Sequence, residues 1–326
     1  MHFYQFKKNP KDFVVEEVLH ENPLWEGKFI YVFIEKKRKT TFDIVFYLAW
    51  ELGVSKNEIG IAGLKDKYWI TRQWISVHNK HLKSKQKEKQ IEKILSKKVK
   101  VLDVTYGKQN LQIKDNWWNK FKITFRRLFE YDTKTLNATR KALERIRKKW
   151  FANYFGKQRF GDKNNNWKVW RDVLLGKINK SKLSKTSKKE IKFKIQAYAS
   201  FLFNSYLSFR EDRHKVHKEI EWDILKDGIP TWPVFGYDLE LPEWKAYKLE
   251  EKTLNKNWLD WTILDKFKQY EIYWLRRKVF VHSENLEYEL DSKWNLYASF
   301  FLPSGSYASS FFYELEKQIE KYLKKR

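Results

Sequence analysis

Strand-like and helix-like runs alternate along this chain without the regular period of a βαβ repeat, and that irregular alternation argues for an α+β fold. Phe29 to Glu35, rich in aromatic and β-branched residues and opened by Gly27, reads as a strand. Thr40-Thr41 cap an apolar helix through Leu52, with Gly53 as its stop. Ile59 to Ala62 and Gln73 to Val77 read as strands flanking a turn. Lys80 to Lys100 is lysine-rich and reads as an exposed helix with a flanking loop, and Val101 to Tyr106 and Asn119 to Arg127 as further strands. Leu136, Leu143, Ile146 and Trp150 form a helical stripe.

The later half is patterned differently. Asn166 to Leu175 predicts a short helix stopped by Gly176, followed by a Lys/Ser linker from Lys177 to Lys189. Ile191, Ile195, Tyr198, Leu202, Tyr206 and Phe209 recur at spacings of three and four, which predicts a long amphipathic helix. Pro230, Pro233, Gly236 and Pro242 punctuate a stretch read as irregular, and Lys245 to Lys268 is polar. An extended Trp294-to-Leu302 segment, a Pro303-Ser304-Gly305 turn and a helix from about Ala308 close the chain. No internal repeat is visible.

Composition narrows the partners. Lys plus Arg number 67 against 41 Asp plus Glu, a formal net charge of +26, for which a polyanion is the natural counterpart. Aromatic residues reach 18%, and rings beside cations suit RNA, whose unpaired bases stack on them. A drift toward A/T-rich codons would also raise Lys, but it would raise Glu with it, so it accounts for lysine frequency better than for net charge. The absence of cysteine excludes disulfides, thiolate zinc sites and cysteine nucleophiles and fits a reducing compartment. The longest apolar candidate, Ala197 to Phe209, is interrupted by Ser200, Asn204, Ser205 and Ser208, and the first residues form no apolar signal region. The expectation is a cytoplasmic protein, a monomer without membrane or metal partners.

The stretch that carries chemistry is Gly63-Leu64-Lys65-Asp66-Lys67, one acid between two cations on a glycine-hinged turn. If Leu64 to Lys67 is extended, the period of two points Asp66 away from both lysines. Asp66 then needs a cation from elsewhere to stay ionised in a partly dry pocket. A lone Gly-x-Lys-Asp would more simply be a turn aspartate on a basic surface. Here Thr71 and Gln73 extend it to Gly63-Leu64-Lys65-Asp66-Lys67-(x)3-Thr71-(x)-Gln73, and Asn153-Tyr154-Phe155-Gly156-Lys157-Gln158-Arg159-Phe160-Gly161 forms a second distinctive block.

Together the two blocks resemble the signatures of the TruD family of tRNA pseudouridine synthases, and the resemblance covers nearly the whole chain. It implies a catalytic α+β domain with a largely antiparallel or mixed sheet, at residues 1–152 and 287–326. It also implies a family-specific α+β insertion domain at 153–286, the lobes forming a V-shaped cleft for tRNA. The activity implied is isomerisation of uridine to pseudouridine, at uridine 13, without cofactor or metal. Asp66 matches the catalytic aspartate, as nucleophile at the sugar or as base at the C2′ proton. Phe6 to Glu16 resembles the N-terminal motif, in which the lysine at the Lys7 position pairs with that aspartate, and Phe13 matches an aromatic near the site. Asn119-Lys120-Phe121 matches an Asn-x-Phe element in which Phe121 stacks on the target base, while Asn119 reads uracil or holds the loop. Asn153, Gln158 and Arg159 fit tRNA phosphate or backbone contacts and domain-joint hydrogen bonds. Leu302 to Ser309 follows the C-terminal element. Trp69, Trp118 and Trp232 stand where the family usually has small residues. A rival reading is a non-catalytic basic RNA-binding or RNA-chaperone protein on the same scaffold. His214 and His217 with Glu211 have metal-compatible helical spacing, but on a basic helix they read as a solvated surface.

Overall fold

A nine-stranded mixed sheet dominates the first of two compact units, which comprises residues 1–137 and 283–305. The structure is a computed structural model and describes residues 2–130, 132–161, 166–178, 188–212, 219–234 and 236–324. In chain order the first unit contributes β1 (Tyr4–Gln5), β2 (Phe13–Leu19), β3 (Phe29–Lys36), α1 (Thr41–Leu52), β4 (Ile59–Ile61), β5 (Ile70–His78), α2 (Lys87–Ser96), β6 (Lys100–Gly107) and β7 (Asn116–Arg127). Helix α3 (Thr133–Lys148) then leads into the second unit, residues 138–282 and 306–326. That unit holds β8 (Phe151–Ala152), α4 (Asn166–Leu174), α5 (Lys188–Asp212), β9 (Leu225–Lys226), β10 (Ile229–Val234), α6 (Trp244–Lys256), α7 (Ile263–Gln269), β11 (Leu275–Lys278) and β12 (Phe280–Val281). The chain returns to the first unit for β13 (Glu284–Leu290) and β14 (Leu296–Pro303) and ends in the second with α8 (Ala308–Lys324). The division by contacts therefore falls at other residues than the expected 152/153 and 286/287 boundaries, and it groups α8 with the second unit.

The main sheet runs β13-β14-β7-β2-β5-β3-β6, with β1 beside β7 and β4 beside β5. Only the β2–β5 pairing is parallel among these ladders. Alternation divides its residues between two faces. Ile30, Val32 and Ile34 of β3 and Ile75 and Val77 of β5 pack with Ile44, Val45 and Leu48 of α1 and Ile91 and Leu95 of α2. The opposite face carries Arg72, whose guanidinium bridges Glu35 at 2.8 Å and Glu16 at 3.2 Å.

Helix α1 starts where the Thr40-Thr41 pair foretells. The Thr40 hydroxyl accepts from the Asp43 amide at 3.0 Å, and the Asp43 carboxylate accepts from the Thr40 amide at 2.7 Å. Gly53 ends it in the left-handed region, at φ 65°.

The second unit has its own core, in which Tyr198, Leu202, Phe203 and Tyr206 of α5 meet Trp232, Leu254 and Phe267. Trp232 is fully buried and stacked on Tyr206 at 4.4 Å. One reading is corrected in this unit. The Pro230–Pro233 stretch is not irregular but forms β10, the central strand of a small sheet, with Ile229 and Pro230 paired to β9 and Thr231 to Val234 paired to β11. The polar Lys245–Lys268 stretch contains most of α6 and of α7. The metal-spaced His214 and His217 lie outside the described residues.

Candidate active site

Residues 62–69 form the loop between β4 and β5, which pair antiparallel with Ile61 opposite Ile75. The loop is not extended strand, so the alternation argument for Asp66 does not apply as expected; its direction is fixed by specific bonds instead. Asp66 Oδ1 accepts from the Tyr68 amide at 2.9 Å, a local turn that holds one carboxylate oxygen. The Asp66 carbonyl accepts from Lys36 Nζ at 2.8 Å. The side chain remains half-buried, while Lys67 and Tyr68 are exposed.

Lys65 is turned inward. Its ammonium pairs with Glu17 Oε1 at 2.8 Å and donates to Asn119 Oδ1 at 2.9 Å, with the Glu17 side chain fully buried. The other Glu17 oxygen accepts from the Trp74 amide at 3.0 Å, so strands β2, β5 and β7 all anchor this pair. The Lys65 amide donates to Thr41 Oγ1 at 3.2 Å, and Thr41 donates to Gln73 Oε1 at 2.9 Å. Thr41 and Gln73 are thus hydrogen-bonding supports of the loop. Gly63 is required by close approach: a Cβ there would lie 2.6 Å from Glu17 Oε1 and 3.2 Å from Lys65 Nζ. Gly63→Ala is expected to pry this buried pair apart and to lower stability by about 1–3 kcal/mol, measured by denaturant unfolding.

Lys7 reaches the same neighbourhood because of how the N-terminal strands are threaded. Both β1 and β2 pair antiparallel with β7, and the segment between them bulges out and returns to the same partner. Asp12, almost wholly buried, clamps the return by accepting from Arg126 on β7 and from the Asn9 amide. Lys7 sits in the bulge at φ 63°, a strained left-handed conformation for a lysine. Its ammonium lies 4.1 Å from the centre of the Phe13 ring, 5.2 Å from Trp69 and 5.4 Å from Phe6. Burial pushes its pKa down to about 8, against the attraction of Asp66. Lys7 is therefore electrostatically coupled to Asp66 through space while resting in a cage of rings. Trp69, where the family usually has a small residue, is one wall of that cage.

Phe13 and Phe121 lie side by side at 5.9 Å, and Phe121 stacks on Phe300 at 5.6 Å. Phe121 is 5% exposed, so in this structure it is the middle of a ring cluster, reachable by a base only where a neighbouring ring gives way. Asn119 is buried too, and its Oδ1 accepts from Lys65 and, at 3.3 Å, from Asn116. Of its two readings, holding the loop is the one these bonds support. Asp66, Lys7, Phe13, Asn119 and Phe121 are thus brought together within the first unit.

Asn153, Gln158 and Arg159 belong to the second unit. The Asn153 side chain donates to the Lys278 carbonyl at 3.0 Å and accepts from Arg277 at 2.6 Å, so its bonds are internal. Arg159 donates to Ser200 Oγ at 3.1 Å and to Gln196 at 3.4 Å, and burial holds its pKa below the usual arginine range. Gln158 is exposed. Arg277 lies over Phe155 at 4.2 Å, its pKa lowered by burial to about 10.

Sequence reading missed Lys36. This last residue of β3 is 1% exposed, and its ammonium donates to the carbonyls of Lys39 at 2.9 Å, Lys65 at 3.3 Å and Asp66 at 2.8 Å. Burial pushes its pKa down to about 8, and Asp66 is the strongest charge acting the other way. The available signal was its place at the end of a strand just before the Thr40-Thr41 cap.

Residues 3–181 match the family model of tRNA pseudouridine synthase D (TruD). A protein of Nitratiruptor sp. named tRNA pseudouridine synthase D is 34% identical over 217 residues, which cover 65% of this chain and 55% of that protein. The match therefore spans about half the length of that relative. The protein of the same name from Cellvibrio japonicus is 30% identical over 314 residues, 95% of this chain and 88% of that one. In fold, the chain is similar to the crystal structure of a provisionally named tRNA pseudouridine synthase D from Methanosarcina mazei, with a TM-score of 0.68 at 20% identity over 97% of this chain and 94% of that one.

Proposed function

The chain belongs to the tRNA pseudouridine synthase D (TruD) family, and we propose that it converts a uridine of tRNA, uridine 13 of the D-arm region, to pseudouridine. The observation that carries this reading is the Asp66 loop. It presents a half-buried carboxylate fixed at Oδ1 by the Tyr68 amide, in the field of two buried ammoniums, one of which rests over the Phe13 ring.

The reaction asks little else. The N1–C1′ bond of uridine breaks, the base turns, and a C5–C1′ bond forms; the proton lost from C5 is balanced by one gained at N1. No electrons leave the substrate, so no redox partner is called for. Asp66 serves either by attacking the sugar or by removing the C2′ proton, and both roles use an ionised carboxylate next to the ribose. Lys7 and Lys36 both feel the Asp66 carboxylate, whose attraction opposes the burial that lowers their own pKa values. The target nucleotide leaves its helix to reach the carboxylate, as is usual where an enzyme acts on a base. Once a neighbouring ring gives way, Phe121 then offers its face to the turning uracil, with Phe13 alongside.

In this reading residues 1–152 and 287–326 form the catalytic domain and residues 153–286 the insertion that holds tRNA. Gln158 and Arg159 meet its backbone there, and Asn153 keeps Arg277 in place. The charge of +26 supplies most of the affinity. tRNA binding is accordingly expected to weaken steeply with salt, with a log–log slope corresponding to several neutralised phosphates, measured by filter binding between about 50 and 200 mM salt. An affinity indifferent to salt would sever charge from function. No helix among the described residues is long and apolar enough to cross a membrane; the cytoplasm, with its tRNA pool, is the compartment this activity requires.

The test is direct. Unmodified tRNA transcript incubated with the protein should acquire one pseudouridine at position 13, and a transcript carrying cytidine there should acquire none. Tight binding without any conversion would favour a non-catalytic RNA-binding protein instead.

A further inference from the structure

We propose that Lys36 is a positioning residue for Asp66, fixing the backbone of its loop and placing a second ammonium beside its carboxylate. This rests on the reading of Asp66 as the reacting group.

The geometry gives Lys36 an unusual place. Its strand neighbour on β5 is Thr71, near the point where the Asp66 loop rejoins the sheet. An ammonium has three protons, and Lys36 directs them to three carbonyls: one in the β3–α1 turn and two in the Asp66 loop. Two segments about thirty residues apart in sequence are thereby tied to one charged point.

Tying alone does not explain the charge. A buried ammonium carries a desolvation cost of several kcal/mol, and a neutral donor could join the same carbonyls more cheaply. Among the charged groups around it, Lys65 opposes its protonation while Asp66, Glu17 and Asp43 favour it, Asp66 most strongly. Glu17 is already engaged at 2.8 Å by Lys65, and the Asp43 carboxylate by the Thr40 amide. Asp66 is thus the charge that Lys36 mainly answers. The arrangement separates roles: Lys65 is turned to Glu17 and Asn119, and Lys7 approaches from the N-terminal bulge. Lys36 holds the loop through the Lys65 and Asp66 carbonyls while its charge is felt by the Asp66 carboxylate.

The experiment uses the full chain with Lys36→Met, which keeps the volume and removes every donor, and Lys36→Gln, which keeps two donors without charge. Single-turnover conversion at saturating tRNA, tRNA affinity and the thermal midpoint are measured together, with Asp66→Asn alongside. Both Lys36 variants are expected to lose about 100-fold or more in the single-turnover rate. Their tRNA affinity should stay within about threefold of wild type, a split that general loosening of the fold would not produce. A folded Lys36→Met variant converting tRNA at the wild-type rate overturns the proposal, as does a loss confined to affinity. A Lys36→Gln variant with the wild-type rate shows that charge is dispensable and overturns it as well. If neither variant folds, Lys36 is a residue of the fold and the proposal fails. An inactive Asp66→Asn beside a fully active Lys36→Met rejects Lys36 alone, whereas an active Asp66→Asn removes the reading on which it rests.

Discussion

Replacing Asp66 by Asn should abolish conversion of tRNA, by roughly 10²–10⁴-fold if the carboxylate acts as a base and by more if it forms a bond to the sugar. The substitution is chosen for what it preserves. Asparagine keeps a side-chain oxygen to accept from the Tyr68 amide, and the backbone carbonyl that accepts from Lys36 is untouched. The loop should therefore hold its shape, and the stability change should stay within about 1 kcal/mol. What the variant removes is charge. Lys7 and Lys36 both lose the strongest attraction that favours their protonated forms, so both should release their protons more readily than in wild type. Release of tritium from 5-tritiated uridine in tRNA measures the chemistry, and filter binding measures affinity separately. Turnover near wild type would remove Asp66 from the reaction. A parallel fall in affinity would mean that the carboxylate organises binding rather than chemistry.

The contrast between Asp66 and its supports shows what a single sequence makes legible. Asp66 and Gly63 lie three residues apart in the chain, and a glycine shortly before an acid in a turn is a local pattern. The reason for the glycine is not local, since a side chain at Gly63 would strike Glu17 on β2. Lys36 left no comparable trace. Its partners are backbone carbonyls, which every residue carries, and two of them lie across the sheet from its own strand. Among so many lysines nothing in composition singles it out. Lys7 was legible only through the motif around it; its spacing from Asp66 in sequence says nothing of a bulge between two strands that share one neighbour.

The same distinction runs through the fold. Helix α1 announces itself with a capping box and a terminal glycine, and α5 with apolar residues at spacings of three and four. Helix α6 hides because its buried face mixes Ala246, Leu249 and Leu254 with Glu250 and Thr253. Glu250 is compatible with that face only because Arg276 meets it at 3.0 Å, and burial still pushes its pKa up to about 7. The polar half of that pair was visible, whereas the partner that makes it tolerable came from β11. Strand β10 was obscured by its prolines, whose meaning depends on which side of the strand is paired.

Lys7→Met should lower turnover by about 100-fold, whereas Lys8→Met should change it by less than about twofold. Each variant removes one positive charge from the same short segment, so a general contribution to tRNA attraction would affect them alike. Their surroundings differ: Lys8 is exposed, while Lys7 lies among Phe6, Phe13 and Trp69 and is coupled to Asp66. Methionine fits an aromatic cage well, so packing should largely survive and the loss should report the charge. The pH dependence supplies a second readout, with a definite sign. With its pKa lowered to about 8, Lys7 is charged below that pH and becomes neutral as pH rises through it. If its charge supports Asp66, the single-turnover rate of the wild type should fall on the basic side of about pH 8. Lys36 titrates in the same range and faces the same carboxylate, so the wild-type limb should contain both ionisations. Removing Lys7 should leave a shallower limb, belonging to Lys36, rather than a flat profile. Equal losses in Lys7→Met and Lys8→Met, with unchanged limbs, would make Lys7 one more cation on a basic surface and leave Lys36 as the single buried cation answering Asp66.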